Sequence, residues 1–330
     1  MEEKHFKPEN SKETMIFGKK PFGRGAFRRQ GFVKFLLIFC GFLFGAYLNY
    51  YGFVFERIRI NLKVHDYKRR LEQSKFFNTN GTHDYHIPNI IHFIWFGQNK
   101  TMSFINYLSI FSAHKVQKPD TIYLHCNDLP QGDWWEKLWQ NVPITIAHRE
   151  PPTEVHGQRL LHKYHQGDIA KLEILMKYGG IYLDYDVIVV NSLDPLRKYE
   201  LTIGKERPPK FNAGTIVANK DALYLRVVYQ SYKDNYRPLD WDYNCARLPY
   251  QIYLEHPEMV HVEKYRLTTP DWTERHLLWN SVIDWSGLFT IHVMNHINWS
   301  EYSPENIRNM NSTFGEVARY IYYGSKKLLR

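Results

Sequence analysis

Polar and apolar positions change rhythm several times along this chain, and each change marks an element. Residues 35–55 are apolar and aromatic, with Asn49 the only strongly polar member. As a helix, a run of this length rises about 30 Å, the thickness of a bilayer core. Tyr47, Tyr50 and Tyr51 suit an interface, and no small-residue cleavage site follows, so a transmembrane signal anchor is predicted. Residues 56–85 turn polar and read as a stem. From His86 onward, strand and helix patterns alternate. Residues 90–95, 121–125 and 144–147 are predicted strands, and 133–140 a short helix. Ile169, Leu172, Leu175 and Met176 recur at helical spacing. Asp168 stands where an N-cap belongs and Gly179 where the helix ends. Residues 181–190 are mostly apolar and β-branched, a buried strand. Residues 201–300 are less regular: 211–217 read as a turn feeding a strand, and 222–232 as a helix. The alternation predicts an α/β domain with a mostly parallel sheet flanked by helices.

Asp184 and Asp186 lie in the strand expected over 181–190. Side chains two apart on a strand leave one face, so both carboxylates are predicted to point to one place. Paired carboxylates repel unless a cation joins them. A hard divalent ion, Mn²⁺ or Mg²⁺, takes such oxygen ligands and fills its other positions with water and phosphate. Ligands of open α/β sheets bind beyond the carboxyl ends of the strands, where this pair sits.

The run Gly167-Asp168-x-x-Lys171-x-x-x-Leu175-x-x-x-Gly179-Gly180-x-Tyr182-x-Asp184-x-Asp186 resembles the signature of glycosyltransferase family 32. That family includes animal α1,4-galactosyl- and α1,4-N-acetylglucosaminyltransferases and fungal α-mannosyltransferases. Ile87-Pro88-Asn89-Ile90-Ile91-His92-Phe93-Ile94-Trp95-Phe96-Gly97 resembles the family's first strand. The resemblance implies a GT-A (Rossmann-like) fold over residues 86–330 and a retaining transfer from a nucleotide sugar. The donor would be UDP-Gal, UDP-GlcNAc or UDP-Glc, and the acceptor a glycan, glycolipid or glycoprotein hydroxyl. The alternatives are a GDP-mannose-dependent mannosyltransferase and a catalytically silent, membrane-anchored glycan-binding or scaffold protein.

The resemblance also implies roles. Asp186 is the principal metal ligand, with Asp184 on the donor and beside the metal. Trp95 stacks on the base. Asp168 and Lys171 reach the donor sugar or diphosphate, and Tyr182 and Asn212 lie in the substrate pocket. His292 and His296 compete to complete the metal shell, with Asn295 a third candidate. His162 and His165 either line the donor cleft or pack. Two positions depart from the signature: Gly167 replaces the usual Ser, and Lys171 replaces the usual Arg, which keeps charge but loses the bidentate fork.

Net charge is +9, which invites a nucleic-acid reading. Its distribution rejects one: residues 1–34 carry +5 and 56–85 carry +3, leaving +1 for the remainder. The basic residues flank the apolar run and favour a cytoplasmic tail (1–34) with a lumenal domain. That topology suits a single-pass type II Golgi membrane protein. Of three cysteines, Cys126 and Cys245 fall in the lumenal part. Sequons begin at Asn80, Asn99, Asn298 and Asn311.

Overall fold

The computed structural model describes residues 34–52, 54–55, 87–97, 100–207, 209–267, 269–294 and 302–329. The tail before Lys34, the stem, Asn295, His296 and the sequons at Asn80, Asn99 and Asn298 lie outside the described residues. Two compact units divide near Arg59. The first contains helix α1 (Lys34–Gly52), 19 residues with a mean hydropathy of 1.5. Its Phe35, Leu37, Ile38 and Phe42 are exposed, as befits a helix compatible with a single-pass membrane anchor.

The second unit has eleven strands among the described residues: β1 (Ile90–Trp95), β2 (Thr121–Cys126), β3 (Ile144–His148), β4 (Glu154–Val155), β5 (Gln158–Arg159), β6 (Gly180–Leu183), β7 (Val187–Val189), β8 (Leu201–Glu206), β9 (Lys210–Ala218), β10 (His261–Glu263) and β11 (Thr290–His292). Seven form the central sheet, in the order β10-β8-β9-β6-β1-β2-β3. Only the two pairings made by β9, with β8 and β6, are antiparallel. The helices are α2 (Phe104–Ser112), α3 (Asp133–Asn141), α4 (Lys163–Tyr178), α5 (Leu223–Asn235), α6 (Leu248–Glu255), α7 (His276–Asn280), α8 (Pro304–Arg308) and α9 (Thr313–Tyr323).

The period-2 pattern sorts the core into two layers. Ile91, Phe93 and Trp95 of β1, with Ile181 and Leu183 of β6, pack toward α2, α3 and α9. Ile94 and Tyr182 face the opposite layer, filled by α4, α5 and α6. Towards the amino end of β1, His92 Nε2 lies 2.9 Å from Gly179 O and can only donate to that carbonyl. His92 Nδ1 therefore accepts from His125 Nε2, 3.1 Å away. A side chain at Gly180, whose φ is +105°, would stand 2.6 Å from Ile90 O, so only glycine lets β6 enter there.

Three expectations are corrected. Helix α4 begins at Lys163, and its N-cap is His162, whose side chain accepts from the Tyr164 N–H. Asp168 is thus an interior position on α4, and capping does not explain it. The strand expected over 181–190 is two strands, because the chain turns at Asp184–Asp186, where Val187 N–H donates to Asp184 O at 3.0 Å. The turn expected near Phe211 is instead a bulge within β9 (Lys210–Ala218): the register with β8 jumps from Ile203–Ile216 to Gly204–Asn212, and Gly214 N–H donates to Asn212 Oδ1. Cys126 and Cys245 are both free thiols.

Candidate active site

The turn between β6 and β7 lies at the carboxyl edge of the central sheet. β7 then leaves that sheet to pair antiparallel with β11, setting Val187 opposite His292. The Asp184 N–H donates to Gly214 O at 2.8 Å, and Val293 N–H to Asp186 O at 3.0 Å. Backbone bonds on both flanks therefore fix the turn. The carboxylates converge because of this turn, not because they share a strand face.

Helix α2 supports the turn from beneath. Asn106 Nδ2 donates to Tyr185 O at 3.0 Å, and Ser109 Oγ to Val187 O at 2.7 Å. Ser112 Oγ accepts from Val189 N–H at 2.9 Å. All three side chains are buried. They were missed in the sequence, although polar residues spaced by three on an otherwise apolar helix were a usable signal.

Asp184, Asp186 and His292 each offer one ligand atom, and these atoms lie within 4.8 Å of one another. His292 Nε2 is 3.1 Å from Asp186 Oδ1 and 4.0 Å from Asp184 Oδ2. Burial alone would drive His292 neutral, but the charges of Asp186 and Asp184 hold its pKa up, to about 9. Two carboxylates and an imidazole fit a divalent cation that leaves positions for water and phosphate.

The other flank of Asp184 is an ion-pair cluster. Lys171 Nζ stands 3.1 Å from Asp168 Oδ1 and 4.0 Å from Asp184 Oδ1. It also sits 4.8 Å from the centre of the Tyr182 ring. Tyr182 Oη donates to Asp184 Oδ1 at 2.6 Å. Burial would lower the Lys171 pKa, yet Asp168 and Asp184 raise it above its ordinary value, so it stays charged. Lys171 is not the surface lysine that its position on an amphipathic helix allowed. Tyr182, at 4 % exposure, holds Asp184 and offers substrate little surface. Next to this cluster is a cavity of about 30 Å³, lined among others by Asp168, Lys171, Tyr232 and Cys245. Burial and Asp168 push the Cys245 thiol well above its usual pKa.

Trp95 requires a correction. It is 3 % exposed and packs 5.3 Å from the Tyr185 ring, centre to centre, so it has no open face for a base. Asn212 is buried and reaches His292 Nδ1 at 3.3 Å, so it belongs to the carboxylate–imidazole group rather than to an open pocket. His165 is fully buried and bonds Tyr236 Oη at 2.9 Å, a packed residue. Trp241 and Trp272 are exposed, whereas Trp285 is core.

Comparison with known proteins points the same way. Residues 86–202 match the family described as "Glycosyltransferase sugar-binding region containing DXD motif". Over 260 residues the chain is 27% identical to "Glucan organizing enzyme 1" of Cryptococcus neoformans var. grubii serotype A, covering 71% of this chain and 70% of that protein. Among solved structures it is similar to the PaToxG glycosyltransferase, at 20% identity and TM-score 0.39, covering 61% of this chain and 81% of that one. It is also similar to the galactosyltransferase LgtC in complex with donor and acceptor sugar analogs, at 18% identity and TM-score 0.37, covering 69% and 95%. The two-carboxylate turn at the edge of the parallel-rich sheet thus lies inside the stretch that matches the DXD-containing glycosyltransferase sugar-binding region.

Proposed function

We propose that the protein transfers a hexose from a UDP-sugar to a glycan hydroxyl with retention, using Mn²⁺ held by Asp184, Asp186 and His292. The observation that carries this reading is the convergence of those three side chains within 4.8 Å at the sheet edge. When bound, the cation supplies charge neutralisation on the departing diphosphate. Asp184, Asp186 and His292 would hold it. Lys171, kept charged between Asp168 and Asp184, presents a positive field to the donor from beneath. Tyr182 fixes Asp184 so that its second oxygen is free to turn outward. Asp168, at 7 % exposure, has an edge from which to accept a donor-sugar hydroxyl. No side chain in the group is placed as a covalent nucleophile, so attack by the acceptor on the donor's leaving-group face is the route this reading adopts.

The similar fungal protein named for organising glucan supports a polysaccharide or glycan acceptor. The apolar α1 and the basic residues before it support a Golgi type II anchor with a lumenal catalytic domain. The exposed Asn311 then becomes a glycan site, and an endoglycosidase shift that is undiminished in N311Q argues against its use. The deciding experiment is sugar release from a panel of UDP-sugars and GDP-mannose, with Mn²⁺ and with EDTA. Release from one UDP-sugar that EDTA stops is the expected result. Release from GDP-mannose alone overturns the donor assignment, and EDTA-insensitive release overturns the cation.

A further inference from the structure

Behind His292 runs a row of buried contacts that none of the chemistry above requires. Asn212 Oδ1 accepts the Gly214 backbone N–H at 2.8 Å, and Asn212 Nδ2 donates to Glu206 Oε1. These two partners decide the orientation of the amide. A carboxylate accepts only from a donor, and a backbone N–H donates only to an acceptor. The oxygen of Asn212 therefore faces His292, with Nδ1 at 3.3 Å. Facing an acceptor, Nδ1 must carry a proton. Nε2 is then the nitrogen that presents a lone pair to a cation between Asp184 and Asp186. Glu206, only 4 % exposed, has Lys210 Nζ 3.7 Å away, so its buried charge is compensated.

Packing holds the same geometry by a second, steric route. A methyl group at Gly214 would stand 2.8 Å from His292 Cε1 and 2.9 Å from both His292 Nδ1 and Asn212 Oδ1. The Cε1–Nδ1 edge of the imidazole thus approaches β9 at a glycine, where any side chain would push it away.

We propose that Glu206 and Asn212 are positioning residues for the cation site: the Glu206–Asn212–His292 relay fixes the imidazole tautomer and plane and increases the electron density that Nε2 donates. Residues standing behind metal-bound imidazoles act in this way, and their loss weakens metal binding about 10- to 100-fold. The proposal rests on the reading of Asp184, Asp186 and His292 as ligands.

The test needs no turnover. Mn²⁺ binding in the presence of UDP is measured by calorimetry and by loss of the free Mn²⁺ electron-paramagnetic signal, alongside melting curves. Asn212→Leu keeps the branched shape, removes the relay, and is expected to weaken Mn²⁺ by about 10- to 100-fold. Glu206→Gln keeps an acceptor for Asn212 and removes the charge, so a smaller loss, under about tenfold, is expected. Gly214→Ala pushes the ring by contact alone and is expected to behave like Asn212→Leu. A folded Asn212→Leu protein with wild-type Mn²⁺ affinity overturns the relay. Should that variant not fold, unchanged affinity in both Glu206→Gln and Gly214→Ala overturns it equally. A wild-type protein that takes up no Mn²⁺ with UDP present instead removes the cation reading itself, before any variant is made.

Discussion

The two flanks of the Asp184–Asp186 turn solve the same electrostatic problem differently. On the α4 side, Asp184 meets a fixed cation, Lys171, and a phenol, Tyr182, and the cluster is closed with internal partners. On the β11 side, Asp186 meets an imidazole whose proton a divalent ion can replace. The first flank contributes to folding and shapes the field. The second is the exchangeable one, where chemistry can come and go. The difference teaches that residues contiguous in a signature need not play one role. Asp168, Lys171 and Tyr182 hold a carboxylate, and a histidine from far along the chain completes the site.

Three substitutions or conditions separate the flanks. Asp186→Ala is expected to have the largest effect, a loss of about 10³-fold or more in Mn²⁺-dependent sugar release. The melting temperature should fall less than in Lys171→Met, because His292 can shed its proton once Asp186 is gone, whereas the carboxylates around Lys171 would lose their cation. A variant that retains turnover, or that melts below Lys171→Met, breaks the comparison. On the closed flank the pattern should invert. Lys171→Met leaves two buried carboxylates without their cation and is expected to cost about 3 kcal/mol of stability, read from urea midpoints. Adding Asp168→Asn should recover part of that cost. Unaltered stability in Lys171→Met would place Lys171 with the exchangeable groups. Lys171→Arg should keep the charge and lose less.

Acid should touch the two flanks least, and it serves as the control. Burial, which outweighs the bond to Gly179, lowers the His92 pKa to about 4; burial, then the charges of His92, Arg149 and Lys177, lowers that of His125 to about 3. Both values lie below that of an unfolded histidine, so the unfolded chain binds more protons as pH falls. The pair's stabilisation is complete above about pH 6.5 and is lost as pH drops toward 4 and below. Between pH 7 and 5 the fall should be on the order of 4 kcal/mol for the two histidines together, and about half that in His125→Phe. If Lys171→Met flattens this profile and His125→Phe does not, the acid response belongs to the active-site flank instead.

Much of this was legible in the sequence because it was local. Strands β1 to β3 appear within a residue or two of the apolar runs that predict them, and Gly179 ends α4 as its position suggests. The pairing of Asp184 with Asp186 was legible, but its cause was not. A period of two suggests a strand face, while the chain makes a turn whose shape depends on α2, on Gly214 and on Val293. The Asp168 error has a similar origin: helical periodicity of apolar residues marks the buried stripe, not the first turn, and α4 starts before its stripe does. Trp95 and Tyr182 looked like ligand-binding aromatics, yet alternation along β1 and β6 sends them into opposite core layers. Glu206 and Asn212 already meet across the β8–β9 pair, but His292 reaches them only through the departure of β7 from the main sheet, and no short-range pattern announces that.

That departure bears on how the protein is made. Asp186 and His292 become neighbours only when β11 docks on β7, and β11 leaves the ribosome long after the turn does. A contact between positions so distant in sequence forms slowly and late, after the parallel strands are in place. A nascent chain that ends before Thr290 therefore holds two carboxylates without their histidine, and it should sequester metal weakly. On the proposed reading, loading of the centre waits until β11 has docked, which would make metal uptake a report on completed folding.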